Sequence, residues 1–252
     1  VSRGRSSPLP AGHGVRPVVA DLADPATLRP ALEGADALFL LVSGAGAHVD
    51  GARVLANAGE AGVRRVVLLS SQAVSTRPGS VSHAPLAALE EAVRNSGLEW
   101  TILRPGGFHS NAAAWAPGIR SGKTVFAPFG DVGLPSVDPR DIAEVAAACL
   151  VEGRHTGRAY TLTGPAATTP RERVEAIADV LGHPLSFVEV TRDQAREQML
   201  RMMPEPVAEG TLSILAEPTP EEVAVSPDVE RVLGRAPLPF RDWAGQHADL
   251  FR

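Results

Sequence analysis

The chain holds one tyrosine, Tyr160, and one lysine, Lys123, far apart in sequence. A phenol can pass a proton to a carbonyl as hydride arrives when a lysine four residues on lowers its pKa. With one residue of each kind, a Tyr-x-x-x-Lys pair occurs nowhere here. The other candidates are histidines and one thiol. His13, His48, His83, His109, His155, His183 and His247 show no metal-ligand spacing, and the lone Cys149 cannot build a thiolate site or an internal disulfide. Cys149 lies in the alanine-rich stretch IAEVAAACL and reads as a buried, inert thiol. His83 opens a helical stretch. Its ring can donate a proton near neutral pH, with a plain surface histidine as the alternative. His109, beside a glycine-rich turn, is a second candidate.

Such groups need elements to position them, and the sequence spaces these regularly. Residues 15–20, 37–42, 65–70 and 99–103 read as short strands, the second (ALFLLV) and third (RVVLLS) as continuous apolar runs. Runs of that kind mark strands buried on both faces. Helical stretches fall between them: from Asp24-Pro25, over about 48–61 closed by Gly62, and over 85–95 closed near Gly97. Asp24 is the better cap for the first of these, which leaves Asp21 free. Strand–helix alternation with such short connections predicts an α/β fold, a Rossmann-type doubly wound parallel sheet. Residues 106–136 are rich in Gly, Pro and small residues and read as irregular. Asp138-Pro139 opens a helix to about residue 150, and 158–163 is a further strand. Thr169 and Thr191 begin capping boxes, the second before a helix carrying Met199, Met202 and Met203. These methionines suit a pocket or lobe core. Residues 187–190 form a short strand, and Thr219-Pro220 and Ser226-Pro227 open further turns. The expected division is a core of 1–105 and 137–163, with 106–136 and 164–252 as a small, mainly helical C-terminal lobe on the substrate side.

Bulk properties narrow the function. Net charge is −5 and no basic tract appears, which argues against a nucleic-acid partner. No run is apolar and long enough to span a membrane, and no secretory leader opens the chain, so a cytoplasmic protein with a small-molecule substrate is the expectation. Aromatic residues make up only 4%, so the core must rest on Ala, Val and Leu.

A complete fold of this type starts with a strand, a glycine-rich turn and a helix. Residues 1–6 (VSRGRS) instead read as the end of a second strand, which places the first βαβ unit outside this sequence or makes it absent. Gly44-Ala45-Gly46 mimics the glycine-rich fingerprint but has Val49 where the third glycine belongs, and it follows the wrong strand.

Five segments in order, SRGRS at 2–6, VVADLADPATLRPALEGADALFLL at 18–41, GVRRVVLLSS at 62–71, SGLEWTILRPGGF at 96–108 followed by Asn111, and VDPRDIAEVAA at 137–147, resemble the NmrA-like branch of atypical short-chain dehydrogenases/reductases that includes NAD(P)H-dependent quinone reductases. The resemblance covers residues 1 to about 165. It implies that Asp21 and Leu22 bracket adenine, that Leu40, Val42 and Ser43 lie near ribose and pyrophosphate, and that Ser70 or Ser71 and Pro105 lie near the nicotinamide. Phe108 and Asn111, with His83, would face the substrate. The tyrosine position of standard members falls near Ser82 and the lysine position near Leu86. The resemblance thus sets His83 beside the vacant tyrosine position, in a segment where relatives often carry a histidine, and makes it the candidate catalytic group. Arg3 and Arg5 follow the presumed second strand, where a guanidinium fork meets a 2′-phosphate, so NADP(H) is favoured over NAD(H). The expected activity is hydride transfer to a quinone-like or other conjugated acceptor, which needs little help from a protein acid. The alternatives are a non-catalytic redox sensor that signals to a protein partner, and, less favoured, an isomerase or epimerase.

Overall fold

The computed structural model describes residues 14–42 and 46–252. Arg3, Arg5 and Ser43, and the reading of the opening residues as a strand end, lie outside them. In chain order the helices are α1 (Arg29–Leu32), α2 (Gly51–Glu60), α3 (Ala73–Thr76), α4 (Ala84–Arg94), α5 (Ala116–Gly122), α6 (Pro139–Val151), α7 (Pro170–Leu181), α8 (Arg192–Leu200), α9 (Glu205–Ala216), α10 (Pro220–Val223), α11 (Asp228–Leu233) and α12 (Phe240–Gln246). The strands are β1 (Ala37–Leu41), β2 (Arg65–Leu69), β3 (Glu99–Pro105), β4 (Thr124–Ala127), β5 (Arg158–Leu162) and β6 (Ser186–Glu189). The main sheet runs β1-β2-β3-β5, and β1 lies parallel to β2 with Ala37 opposite Arg65 and Leu41 opposite Leu69. This is the expected doubly wound parallel sheet, followed by a mainly helical C-terminal region.

The chain divides into two compact units. One takes in residues up to Ser70, then Pro85–Ile102 and Cys149–Ala159. Its core joins Leu40 of β1 and Val66 and Leu68 of β2 to Val54 and Leu55 of α2 and Val93 of α4. These aliphatic residues are almost wholly removed from water, as a two-faced parallel sheet requires. The other unit takes in Ser71–Ala84, Leu103–Ala148 and Tyr160–Arg252. It is built around Ile119, Val125, Val174, Ile177, Phe240 and Trp243. Cys149 is fully buried, which pushes its thiol up to about 12.

Several local expectations hold at the level of hydrogen bonds. Thr169 and Thr191 form complete capping boxes with Glu172 and Gln194, and Thr219, expected to open a turn, also forms one with Glu222. Asp138 caps α6 by accepting the Arg140 amide at 2.8 Å.

Others do not hold. Residues 15–20 form no ladder among the described residues. Residue 19 makes a single bridge, and Val15 and Val19 are exposed. Pro17 has no amide hydrogen to give a ladder. The segment 106–136 is more ordered than its composition suggests. His109–Trp115 is a 3₁₀ stretch, α5 follows, and β4 pairs in parallel with β6. That pairing is tertiary, so a four-residue strand in a glycine-rich stretch gives no local signal. Helix α8 contains only Met199. Met202 and Met203 follow it in a turn, and Met202 is exposed, so it belongs to neither core nor pocket.

Candidate functional site

In the second unit a cavity of about 200 Å³ is lined by Ser71, Gln72, Ala73, His83, the 105–107 turn, Asn111, Leu134, Pro135, Thr211, Ile214, Leu215 and Glu222. It brings together Ser71, His83, Pro105 and Asn111, four of the residues singled out by sequence. The walls are fixed locally. Ser71 Oγ accepts the Ala73 amide and so starts α3. The Gln72 amide donates to the Pro105 carbonyl at 2.9 Å, and its Nε2 donates to the Glu221 carbonyl at 2.8 Å. Its Oε1 therefore faces Gly106, where a Cβ would lie only 3.1 Å away. The Gly106 amide donates to the Leu162 carbonyl at 3.0 Å. This glycine keeps the backbone of the turn close to Gln72.

The polar side of the cavity holds one acid and one imidazole. Glu222 is buried and accepts from Arg77 Nε and Nη2, each at 2.8 Å, and from the Thr76 hydroxyl at 2.8 Å. Burial pushes its pKa up, but the bonds from Arg77, the Thr219 backbone and Thr76 outweigh that and hold it below the ordinary range. It is ionised at neutral pH. His83 Nδ1 lies 2.9 Å from Ser82 Oγ. Burial lowers its pKa, Glu222 opposes the shift and Arg77 adds to it, so the imidazole is neutral at pH 7.

Neighbouring candidates have other occupations. Phe108 pairs with Val137 through a backbone bridge and does not line the cavity. His109 is buried, with Nδ1 2.8 Å from Ser136 Oγ, Nε2 3.2 Å from the Leu238 carbonyl, and its ring edge-on to Phe240. It is part of the packing.

In the first unit a slot of about 510 Å³ is lined by Asp21, Leu22, Leu38, Leu40, His48 and small aliphatic neighbours. It gathers Asp21, Leu22 and Leu40. Val42 packs against the adjoining core. Apolar walls with a carboxylate among them fit a flat heteroaromatic ring such as adenine. Asp21 is not free, however. Its Oδ1 accepts the Ala23 amide, whereas Asp24, at the N-cap position, makes no side-chain cap bond. Ser70 donates to Glu90 Oε1 at 2.6 Å inside the core, and Arg94 completes that group at 2.8 Å. Of the two serines that end β2, Ser71 lines a cavity and Ser70 is committed to a buried acid.

Gln72, Thr211 and Glu222 are polar lining residues that sequence reasoning missed, together with the apolar wall of Leu134, Pro135, Ile214 and Leu215. Glu222 carried a signal, since it closes the Thr219 capping box, but the same carboxylate also pairs with Arg77. Gln72 carried none beyond following Ser70-Ser71. Among the described residues no group of His, Cys, Asp and Glu could hold a metal ion, and no helix is long and apolar enough to cross a membrane.

A doubly wound parallel sheet with a cavity beside the ends of β2 and β3 is the architecture of dinucleotide-binding proteins. The family described as NAD(P)H-binding matches residues 3–153. The chain belongs to it, within the NmrA-like atypical short-chain dehydrogenases/reductases. It is 44% identical over 243 residues, 95% of this chain and 86% of the relative, to (4-alkanoyl-5-oxo-2,5-dihydrofuran-3-yl)methyl phosphate reductase of Streptomyces griseus. It is 32% identical over 248 residues, 95% of this chain and 85% of the relative, to NAD(P)H azoreductase of Xenophilus azovorans. An NADPH-dependent quinone oxidoreductase from Escherichia coli, solved with NADPH, shares the fold with a TM-score of 0.75 at 22% identity, covering 90% of this chain and 82% of that one.

Proposed function

We propose that the protein is an NAD(P)H-dependent reductase of small conjugated acceptors. The observation that carries this reading is the cavity of the second unit, whose polar lining is one neutral imidazole, two carboxamides, two hydroxyls and an ion-paired acid, with no Tyr/Lys pair. Such a lining can orient an acceptor but is poorly equipped to force a proton onto an isolated ketone. A quinone or a doubly activated alkene makes the smaller demand, because the arriving electron pair is delocalised over carbonyl oxygens. The ring named for the Streptomyces relative is of this kind, an unsaturated lactone with a second acyl group on the same double bond.

Bound NAD(P)H supplies the hydride. In this reading Asp21 and Leu22 take the adenine, Leu40, Val42 and Ser43 the ribose and pyrophosphate, and Ser71 and Pro105 the nicotinamide end. Ser70 would support them from the core. His83 and Asn111 orient the acceptor, with Phe108 behind the turn that carries Asn111. Residues 1–105 and 137–163 would serve the cofactor, and 106–136 and 164–252 the acceptor.

Arg3 and Arg5 give the reading its NADP(H) preference. Charge-assisted contacts are worth about 1.5–3 kcal/mol each. Replacing both by alanine should weaken NADPH binding tenfold or more on the order of that energy, and leave NADH binding nearly unchanged. Equal losses for the two would overturn the preference.

The reading is tested by fluorescence titration with NADPH and NADH, then by following oxidation of the reduced nicotinamide with an acyl-butenolide phosphate, an azo dye and a naphthoquinone. Turnover with any of them supports the reductase. Tight binding with no turnover across all three points to a redox sensor instead.

A further inference from the structure

Ser80, Ser82 and His83 form a hydrogen-bonded chain that ends at the cavity. Ser80 Oγ lies 2.9 Å from Ser82 Oγ, and Ser82 Oγ lies 2.9 Å from His83 Nδ1. The ring lines the cavity, and among the described residues its Nε2 has no protein partner. All three residues are half-buried, and Gly79 and Val81 on either side of Ser80 are exposed, so solvent lies near the Ser80 end. A second element protects this arrangement. Gly210 sits in the middle of α9, where glycine costs about 1 kcal/mol relative to alanine. A Cβ there would lie 2.3 Å from Ser82 Oγ and 2.9 Å from its Cβ. The helix gives up propensity at the one position where a methyl group would displace the Ser82 hydroxyl.

We propose that Ser80 and Ser82 hold His83 as the Nε2–H tautomer and relay a solvent proton to it, so that this chain delivers the one proton that a conjugated acceptor takes up after hydride transfer. The proposal rests on the reductase reading. Hydride from NAD(P)H adds to the acceptor carbon, and the π pair moves onto the acceptor oxygen. Nε2–H gives its proton to that oxygen as the Ser82 hydroxyl protonates Nδ1. Ser80 reprotonates Ser82, and solvent reprotonates Ser80. These steps leave His83 as the Nδ1–H tautomer. The cycle closes when product leaves, Nδ1 returns its proton through Ser82 and Ser80 to solvent, and water entering the cavity reprotonates Nε2. The net change is therefore one hydride and one solvent proton added to the acceptor. The imidazole stays neutral throughout, which suits a half-buried ring. Ser82 is thus a positioning residue, and Gly210 makes room for it.

The charged groups acting on His83 are Glu222, which favours its protonation, and Arg77, which opposes it. A neutral relay does not need imidazolium. Wild-type turnover should therefore stay level as pH rises through the His83 pKa. In Ser82→Ala the ring can deliver a proton only as imidazolium, so turnover should fall over the same range. At pH 8 this variant should lose about tenfold or more in kcat, the low end of what general acid catalysis contributes, with KM unchanged. Ser82→Thr should recover most of it. Gly210→Ala should show the same pH profile without altering the chain's own residues.

The test with no dependence on turnover is nitrogen NMR of His83 in the intact protein. The expected result is protonated Nε2 and unprotonated Nδ1 in the wild type, with that preference lost in Ser82→Ala. Protonated Nδ1 in the wild type, or identical pH profiles for wild type and Ser82→Ala, would overturn the relay. If the tautomer is as expected but no acceptor is reduced, the reductase reading and the relay's role in it fall, while the hydrogen-bonded chain stands.

Discussion

Arg77→Ala should cost about 3 kcal/mol of folding stability at neutral pH, the low end for removing one partner of a buried ion pair. Its guanidinium holds Glu222 through two bonds and also donates to the Glu217 and Ser213 carbonyls, so it ties the end of α3 to α10 and the end of α9. Without it, the Glu222 carboxylate remains buried with only the Thr76 hydroxyl and its own capping box. The pH dependence follows from the depressed pKa of Glu222. Its contribution is present above the unfolded carboxyl value, near 4.3 for an ordinary glutamate, and is lost as pH falls through the lower folded value. Urea unfolding should therefore show the gap between wild type and variant narrowing in acid. Adding Glu222→Gln to Arg77→Ala removes the stranded charge and should restore part of the loss. A neutral-pH cost below about 0.5 kcal/mol, the range of exposed pairs, would mean that water reaches the pair.

Gly164→Ala is the other change expected to be severe. A Cβ at Gly164 would lie 2.1 Å from the backbone oxygen of Ser136 and 3.5 Å from His109 Cε1. The first contact is with main chain, which cannot swing aside as a flexible side chain can. Ser136 is itself buried, and its hydroxyl holds His109, which in turn packs on Phe240. Relief at Gly164 must therefore displace a buried imidazole and an aromatic core residue. Overpacking costs about 1–3 kcal/mol, and contact with backbone puts this case near 3. For a chain of this size that corresponds to a drop of about 6–12 °C in Tm. A melt within about 1 °C of wild type would contradict the close approach.

The sequence carried the sheet well because its signals are local. Leu40, Val66 and Leu68 lie in unbroken apolar runs, and such runs have few other uses in a soluble α/β chain. The capping boxes at Thr169 and Thr191 were equally plain, since the chemistry of a helix start is contained in four residues. What stayed hidden depends on partners far along the chain. Strand β4 exists through β6, some sixty residues on. Helix α9 begins Glu-Pro and carries Gly210 in its middle, so its local propensity understates it. Residues 15–20 look like a strand by alternation but lack a ladder among the described residues. At the site, Ser71, Pro105 and Asn111 were legible from a segment pattern, and His83 from its place beside the vacant tyrosine position. Gln72 and Glu222 were not, because what marks them is a fold-dependent bond to Glu221 in one case and to Arg77 in the other. The serine that faces the cavity was also undecidable from sequence, since only packing commits Ser70 to Glu90.

Thr211, Ile214 and Leu215 reach the cavity from one stripe of α9, at the three- and four-residue spacing of a helix face. The groups opposite them are tied to backbone, to a buried ion pair or to a hydroxyl chain, and tolerate little change. The pocket is therefore half fixed chemistry and half replaceable upholstery. Diversification of acceptor shape within this scaffold can proceed by exchanging two or three side chains on a single helix, leaving the reactive half untouched.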